Sequence, residues 1–288
     1  MYELENLLFK LIFCRGIRLN GCWQLIKYAL EKQYTHFTME EILYFVVDRQ
    51  HQKAFRDSWS DLSDEFIQQK QQEHCYLFCL NEEYPEMLLE IPYPPIFLFY
   101  KGNLRFLMEK KIAFVGAREA TGYGKRVVHR LLPELVKEQF VIISGLAKGI
   151  DTESHRKVLS LGGKTIGVIG TGLDNCYPES SRELQEEIAA NHLLLSEYPD
   201  GTGPRRHHFP MRNRIIAGLS LGACIIEAKQ RSGSLITAQM ALEYGREVFA
   251  VPGEILSGYS DGCHNLIQDG AKCVFSAKDI LEELTNFS

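Results

Sequence analysis

From residue 111 onward the chain repeats one pattern: a short β-branched apolar run, then glycines, then an amphipathic stretch. The runs fall at 112–115, 141–143, 165–169, 193–195, 223–226, 248–251 and 272–275. Apolar runs without polar alternation fit strands covered on both faces. Strands alternating with helices predict parallel βαβ units and a doubly wound α/β sheet. The helical stretches are expected to begin near Gly122, Thr152, Ser180, Arg212, Ser234, Cys263 and Ala277.

The first third of the chain reads differently. Apolar residues recur at three- and four-residue intervals over 5–12, 21–33 and 39–47, with Gly16 and Gly21 as punctuation, and the polar piece 57–72 is expected to be helical too. Pro85, Pro92, Pro94 and Pro95 then precede the apolar run 96–100. The expected organisation is a helical domain over 1–80, a linker with one docking strand over 81–110, and the α/β domain over 111–288. With 288 residues, two domains is also the prior from length.

In a sheet of this kind, ligands bind beyond the carboxyl ends of the strands, near the point where strand order reverses. The residues after each run are therefore the candidate site. They are rich in glycine and cations: Gly116, Arg118, Gly145, Lys148, Gly149, Arg212, Arg214, Lys229, Arg231, Ser232, Gly233 and Ser234. Glycine lets a ligand approach the backbone, helix N-termini offer free N–H groups, and arginine grips phosphate through two parallel hydrogen bonds. The formal net charge of −5 argues against a nucleic-acid binder only on average. Residues 204–231 carry six cations, Arg205, Arg206, Arg212, Arg214, Lys229 and Arg231, against one acid, Glu227. A local field of that sign steers a polyanion whatever the total.

Enzyme and cofactor motifs fail. Glycines 116, 122 and 124 do not have dinucleotide-fingerprint spacing, and no acid closes the second run to hold a ribose. The stretch "VLSLGGKT" at 158–165 has Val158 where a phosphate-binding loop needs glycine, and it precedes a strand instead of following one. Asp151 and Glu153 read as helix caps, and Cys176 and Ser234 have no base at a known spacing. Cys75 and Cys79 beside His74 lack a second ligand pair, so no metal is expected, and the eight cysteines are read as reduced core residues. His207 and His208 contact either a ligand or the core. Phe209 reads either as a platform on which a base stacks or as an anchor for its loop. A site rich in cations and poor in activated nucleophiles suggests binding without turnover and without a cofactor. No run approaches the ~18 apolar residues of a membrane span, and the acidic start, with Glu3 and Glu5, is unlike a secretion signal. A cytoplasmic location without membrane insertion is expected.

Eight stretches carry a family resemblance: "IAFVGAREATGYG" (112–124), "ISGLAKGIDTESH" (143–155), "GKTIGVIGTGLDNCYP" (163–178), "LSEYPDG" (195–201), "HFPMRNRIIAGLS" (208–220), "IIEAKQRSGSLITA" (225–238), "GREVFAVPG" (245–253) and "GCHNLIQDGA" (262–271). In content and order they resemble the DNA-processing protein A (DprA/Smf) family. The resemblance implies an extended Rossmann-like domain with a SAM-like helical N-terminal module. It implies a non-enzymatic protein that binds single-stranded DNA in a basic pocket, forms a homodimer and loads the RecA recombinase during natural transformation. Carried over, the DNA pocket would comprise Gly116, Ala117, Arg118, Ser144, Gly145, Lys148, Gly149, Asp151, Phe209, Arg212, Asn213, Arg214, Lys229, Ser232, Gly233 and Ser234. The dimer contact would lie near Leu242 and Ile267, and the recombinase contact near Gln268. Ala117 stands where Ser is common, Glu179 where some relatives carry Lys, and Ser181 where Asn is frequent. Few residues follow Phe275, so the winged-helix-like domain of some relatives is not expected. The alternatives are a nucleoside-monophosphate phosphoribohydrolase on a related core, and an interaction module that holds no nucleic acid.

Overall fold

The structure, a computed structural model, describes residues 2–285. These divide into two compact units, one comprising residues 2–82 with 95–98, the other residues 83–94 with 99–285. In the first unit five helices follow one another: α1 (Tyr2–Leu11), α2 (Leu19–Lys32), α3 (Met39–Val46), α4 (Gln52–Ser60) and α5 (Asp64–Glu73), then strand β1 (Tyr76–Phe78). The polar piece 57–72, expected to be helical, holds the end of α4 and most of α5, and α5 starts where the Ser63 hydroxyl accepts from the Phe66 amide at 3.1 Å. Thr38 and Glu41 form a capping box at the start of α3. Leu4, Leu8, Leu11, Leu25, Ile26 and Phe55 are buried at the centre of this unit, and Phe78 stacks on Phe97 with ring centroids 5.2 Å apart.

The second unit begins with a short helix, α6 (Glu86–Leu89), and takes over the strand β2 (Phe97–Gly102) from Phe99. Within the proline-rich stretch, Leu88 and Ile91 pack so closely on Gly218 that a Cβ there would meet them at 3.0 and 2.8 Å. The alternating pattern then yields β3 (Lys111–Val115), α7 (Gly122–Lys137), β4 (Val141–Ser144), α8 (Ile150–Ser160), β5 (Thr165–Ile169), α9 (Arg182–Asn191), β6 (Leu193–Ser196), α10 (His208–Leu219), β7 (Gly222–Ile225), α11 (Gly233–Glu243), β8 (Glu247–Ala250), α12 (Asp261–Gln268), β9 (Lys272–Cys273) and α13 (Ala277–Thr285).

Within this unit the strands lie in the order β2-β6-β5-β4-β3-β7-β8-β9. All neighbours pair in parallel except β2, which runs antiparallel to β6. From β3 the chain moves outward through β4, β5 and β6, then returns to the other side of β3 with β7. This is the doubly wound, Rossmann-like sheet expected from the pattern, and its switch point lies between β3 and β7. All five residues of β3 are buried, Lys111 included. The Lys111 ammonium is satisfied by the Leu107 and Glu109 carbonyls, each at 2.7 Å, and burial lowers its pKa to about 8. On one face Ile112, Phe114, Ile142 and Phe249 meet Val128, Leu131, Leu132 and Leu135 of α7. Truncating one such large side chain to alanine costs on the order of 2–5 kcal/mol.

Candidate nucleic-acid interface

The carboxyl ends of β3 and β7 open onto a groove of about 800 Å³. Its walls include Gly116, Ala117, Arg118, Asp151, Phe209, Arg212, Asn213, Lys229, Arg231, Ser232, Gly233 and Ser234. A smaller cavity of about 220 Å³ shares Arg118, Tyr177, Phe209 and Arg212 and adds Lys148, Leu146, Val168 and Pro178. Thirteen of the seventeen residues named from sequence therefore line one continuous region. They come from four connections, those after β3, β4, β6 and β7, because every connection leaves its strand on the same edge of a parallel sheet.

Four of the named residues do not line it. Ser144 is fully buried and donates its hydroxyl to the Phe114 carbonyl at 2.6 Å. Gly145 gives its space to an arginine: a Cβ there would lie 1.6 Å from Nη1 of Arg212. Gly149 has φ +81° and a Cβ would sit 2.2 Å from the Ala117 carbonyl, so it serves the close passage of two loops. Arg214 is buried at 3 % exposure and ion-pairs with Glu197, itself largely covered and pushed up in pKa by desolvation. In Arg212-Asn213-Arg214 the helix turns alternate side chains to different sides, so Arg212 reaches the groove and Arg214 does not.

The exposed cations keep their charge free. Among the described residues, none of Arg118, Lys148, Arg206, Lys229 or Arg231 has an acidic partner within 4.0 Å, and all five are exposed. The single acid of the basic stretch, Glu227, is turned away: its carboxylate accepts from the Thr121 amide at 2.9 Å and the Thr121 hydroxyl at 2.8 Å, at the start of α7. Arg212 is held from below, donating to the Val168 carbonyl at 2.8 Å. Beside it, burial raises the Asp151 pKa to about 6 in spite of Arg212, the Ala147 amide, the Ser144 hydroxyl and Arg118, which all act to lower it. At the start of α11 the Ser232 hydroxyl accepts from the Ser234 amide at 3.4 Å and lies 2.7 Å from the Ser234 hydroxyl.

Helix α10 begins at His208, four residues before the expected start, so Phe209 lies in its first turn and not in a loop. The Arg118 guanidinium carbon is 5.9 Å from the Phe209 ring centre, and the Tyr177 ring is 5.4 Å away at 44°. This half-buried ring under a cation is a stacking surface with charge above it. His208, by contrast, belongs to the core: it stacks on Tyr198 at 3.8 Å, its Nδ1 lies 3.0 Å from the Gly170 carbonyl, and burial lowers its pKa.

Arg206, Pro210, Ile216, Ile236 and Thr237 also line the groove and were not assigned from sequence. Helical spacing carries a signal for two of them: Ile216 lies one turn beyond Arg212, and Thr237 one turn beyond Gly233. Leu242 is 65 % exposed on α11, Ile267 half-buried and Gln268 exposed on α12, and none of the three lines the groove.

The family model for DNA recombination-mediator protein A matches residues 75–285. The chain is 50 % identical over 230 residues to the DNA processing protein DprA of Streptococcus pneumoniae, covering 80 % of this chain and 81 % of that protein. It is 50 % identical over 205 residues to its Bacillus subtilis counterpart, covering 71 % and 69 %. The X-ray structure of the Streptococcus pneumoniae protein superimposes with a TM-score of 0.90 at 44 % identity, over 97 % of each chain. A structure giving insights into the single-stranded DNA binding mode of DNA processing protein A from Helicobacter pylori has a TM-score of 0.67 at 31 % identity, over 74 % of this chain and 96 % of that one. Sheet order, basic groove and sequence identity agree: the chain belongs to the DNA recombination-mediator protein A family.

Proposed function

We propose that the groove holds single-stranded DNA by its phosphates and that the protein passes the strand to a RecA-type recombinase, protecting incoming DNA during natural transformation. The observation that carries this reading is the convergence of five acid-free cations on one switch-point edge. Arg118, Lys148, Arg206, Lys229 and Arg231 neutralise phosphates without first having to leave an internal partner. Asn213, Ser232 and Ser234 supply neutral hydrogen-bond donors, and the Phe209–Tyr177 pair takes a base that stacks while its phosphate meets Arg118. The Helicobacter pylori relative, described by its single-stranded DNA binding, supports the choice of ligand.

Binding without catalysis fits the same site. Arg231-Ser232-Gly233-Ser234 stands where phosphoribohydrolases of related fold carry a glycine-rich catalytic stretch, and Glu227 is committed to Thr121. The protein works as a homodimer through the exposed α11 and α12 surface around Leu242 and Ile267, with Gln268 beside it as the recombinase contact. It acts in the cytoplasm, where recombinase and incoming strand meet.

The test is a gel shift with single-stranded and duplex oligonucleotides, with and without Arg118→Glu. The wild-type chain is expected to prefer the single strand, and the variant to lose affinity for all sequences alike. A duplex preference, or release of free base on incubation with AMP, would overturn the reading. Recombinase loading is checked by RecA ATPase on strand coated with single-strand-binding protein, which this chain should accelerate.

A further inference from the structure

Past the Lys229 end of the groove, the connection from β8 to α12 carries a second aromatic surface. Ile255 and Leu256 are 78 % and 89 % exposed, and Tyr259 is 38 % exposed. The root of this connection is fixed. The Tyr123 hydroxyl donates to the Pro252 carbonyl, and the Gly253 amide lies 3.2 Å from Nε2 of His264. A Cβ on Gly253 would fall 2.1 Å from the Ser260 hydroxyl. The Tyr259 ring is therefore displayed from an anchored base. Its hydroxyl has no hydrogen bond among the described residues.

One contact ties this ring to the groove. The Lys229 ammonium lies 4.5 Å from the centre of the Tyr259 ring, and Lys229 also lines the groove. At the far side the same arrangement occurs once more, with Arg118 over Phe209. The two sit on opposite wings of the sheet: Tyr177, the partner of Phe209, follows β5, and Tyr259 follows β8. A cation with a ring thus stands at each end of the groove, and every nucleotide of a single strand offers one anion and one flat base to such a pair. Lys229 lies over the Tyr259 ring, and the tyrosine is exposed beside it.

We infer that Tyr259 is a second base-stacking platform, engaged by a nucleotide of single-stranded DNA as the strand leaves the groove past Lys229. The inference rests on the single-strand reading above and extends the contact beyond the groove itself. Tyr259 is a positioning contact for bases, with no preference among them, because every base has a flat face.

The experiment compares full-length wild type, Tyr259→Ala and Tyr259→Phe on an oligothymidylate length series, and on strands whose terminal nucleotides lack bases. The tyrosine is exposed and the phenylalanine variant keeps the ring, so folding is preserved. Expected is a roughly fivefold to tenfold loss for Tyr259→Ala on long strands, none on the shortest strand retained, and full binding by Tyr259→Phe. On strands lacking the terminal bases, wild type and Tyr259→Ala should bind equally. Equal affinity of Tyr259→Ala and wild type on long intact strands would overturn the inference alone. So would an alanine defect that persists without the bases, as a protein-contact role of this surface would give through the dimer. Failure of the wild type to retain any strand would overturn this inference together with the reading it rests on.

Discussion

Gly145 and Arg212 occupy what would be one residue's space: the guanidinium passes where the glycine has no side chain, and a Cβ would lie 1.6 Å from Nη1. Gly145→Ala therefore moves Arg212 off the Val168 carbonyl and out of its place in the groove floor. The expected result is a loss of single-strand affinity of about tenfold, similar to Arg212→Ala, with 1–3 kcal/mol of destabilisation from overpacking. Titration by fluorescence anisotropy and urea unfolding of the same samples measure both. Native affinity in Gly145→Ala would show that the position of Arg212 does not matter.

Salt separates charge from contact. Each phosphate neutralised on a single strand lowers the slope of log affinity against log salt by about 0.7. Arg118→Ala, Lys229→Ala and Arg231→Ala should each make the slope shallower by roughly that amount. Arg214→Ala should leave the slope of the folded protein unchanged, because Arg214 faces Glu197 and not the groove. Its cost is to stability instead, about 3–5 kcal/mol, since Glu197 is left largely covered and unpaired. A shallower slope in Arg214→Ala would return this arginine to the DNA contacts.

Proton uptake should accompany binding. The Asp151 carboxyl is raised from 3.8 to about 6 by burial, and a phosphate brought beside it raises it further. The groups facing it are Arg212 on α10, Arg118 on the β3–α7 connection, and the Ser144 hydroxyl and Ala147 amide around the end of β4. The strand therefore favours the protonated carboxyl, and affinity should fall as pH rises from 6 to 8. Asp151→Asn should bind more tightly than wild type at pH 8 and show a flatter profile.

Stability follows the same sign. A carboxyl raised on folding stabilises the native state below the unfolded value, near pH 4, and that contribution is lost as pH rises through about 6. The difference is on the order of 3 kcal/mol, so Asp151→Asn should gain in Tm over wild type at pH 8 and lose the advantage near pH 4. A variant less stable than wild type at pH 8 would mean that the ionised carboxylate supports Arg212 more than burial penalises it.

Much of this was legible in the residues, for a physical reason. Strands such as Thr165–Ile169 are buried on both faces, so their composition alone marks them. The groove was legible because a parallel sheet delivers every strand's end to one edge. What could not be read was direction. Nothing in Arg212-Asn213-Arg214 says which arginine faces outward. The spacing of Ser144, Gly145 and Gly149 does not show that they support the groove from behind. The helix start at His208 was missed because no side chain caps it, and the histidine that opens it is held by the core. The break between α4 and α5 depends on Ser63, one hydroxyl in a polar stretch. The strand Tyr76–Phe78 is too short for its pattern to show.

The carboxylate of Glu227 at the start of α7 has a consequence for the kind of cargo this sheet can carry. Nucleotide-binding relatives of the architecture seat a diphosphate on the first helix after the first central strand, where bare amides and the helix dipole greet it. Here the chain has already placed its own anion in that berth. A second anion at that helix start would meet the charge of this carboxylate, so the attraction for an anionic ligand falls to the exposed cations along the rim.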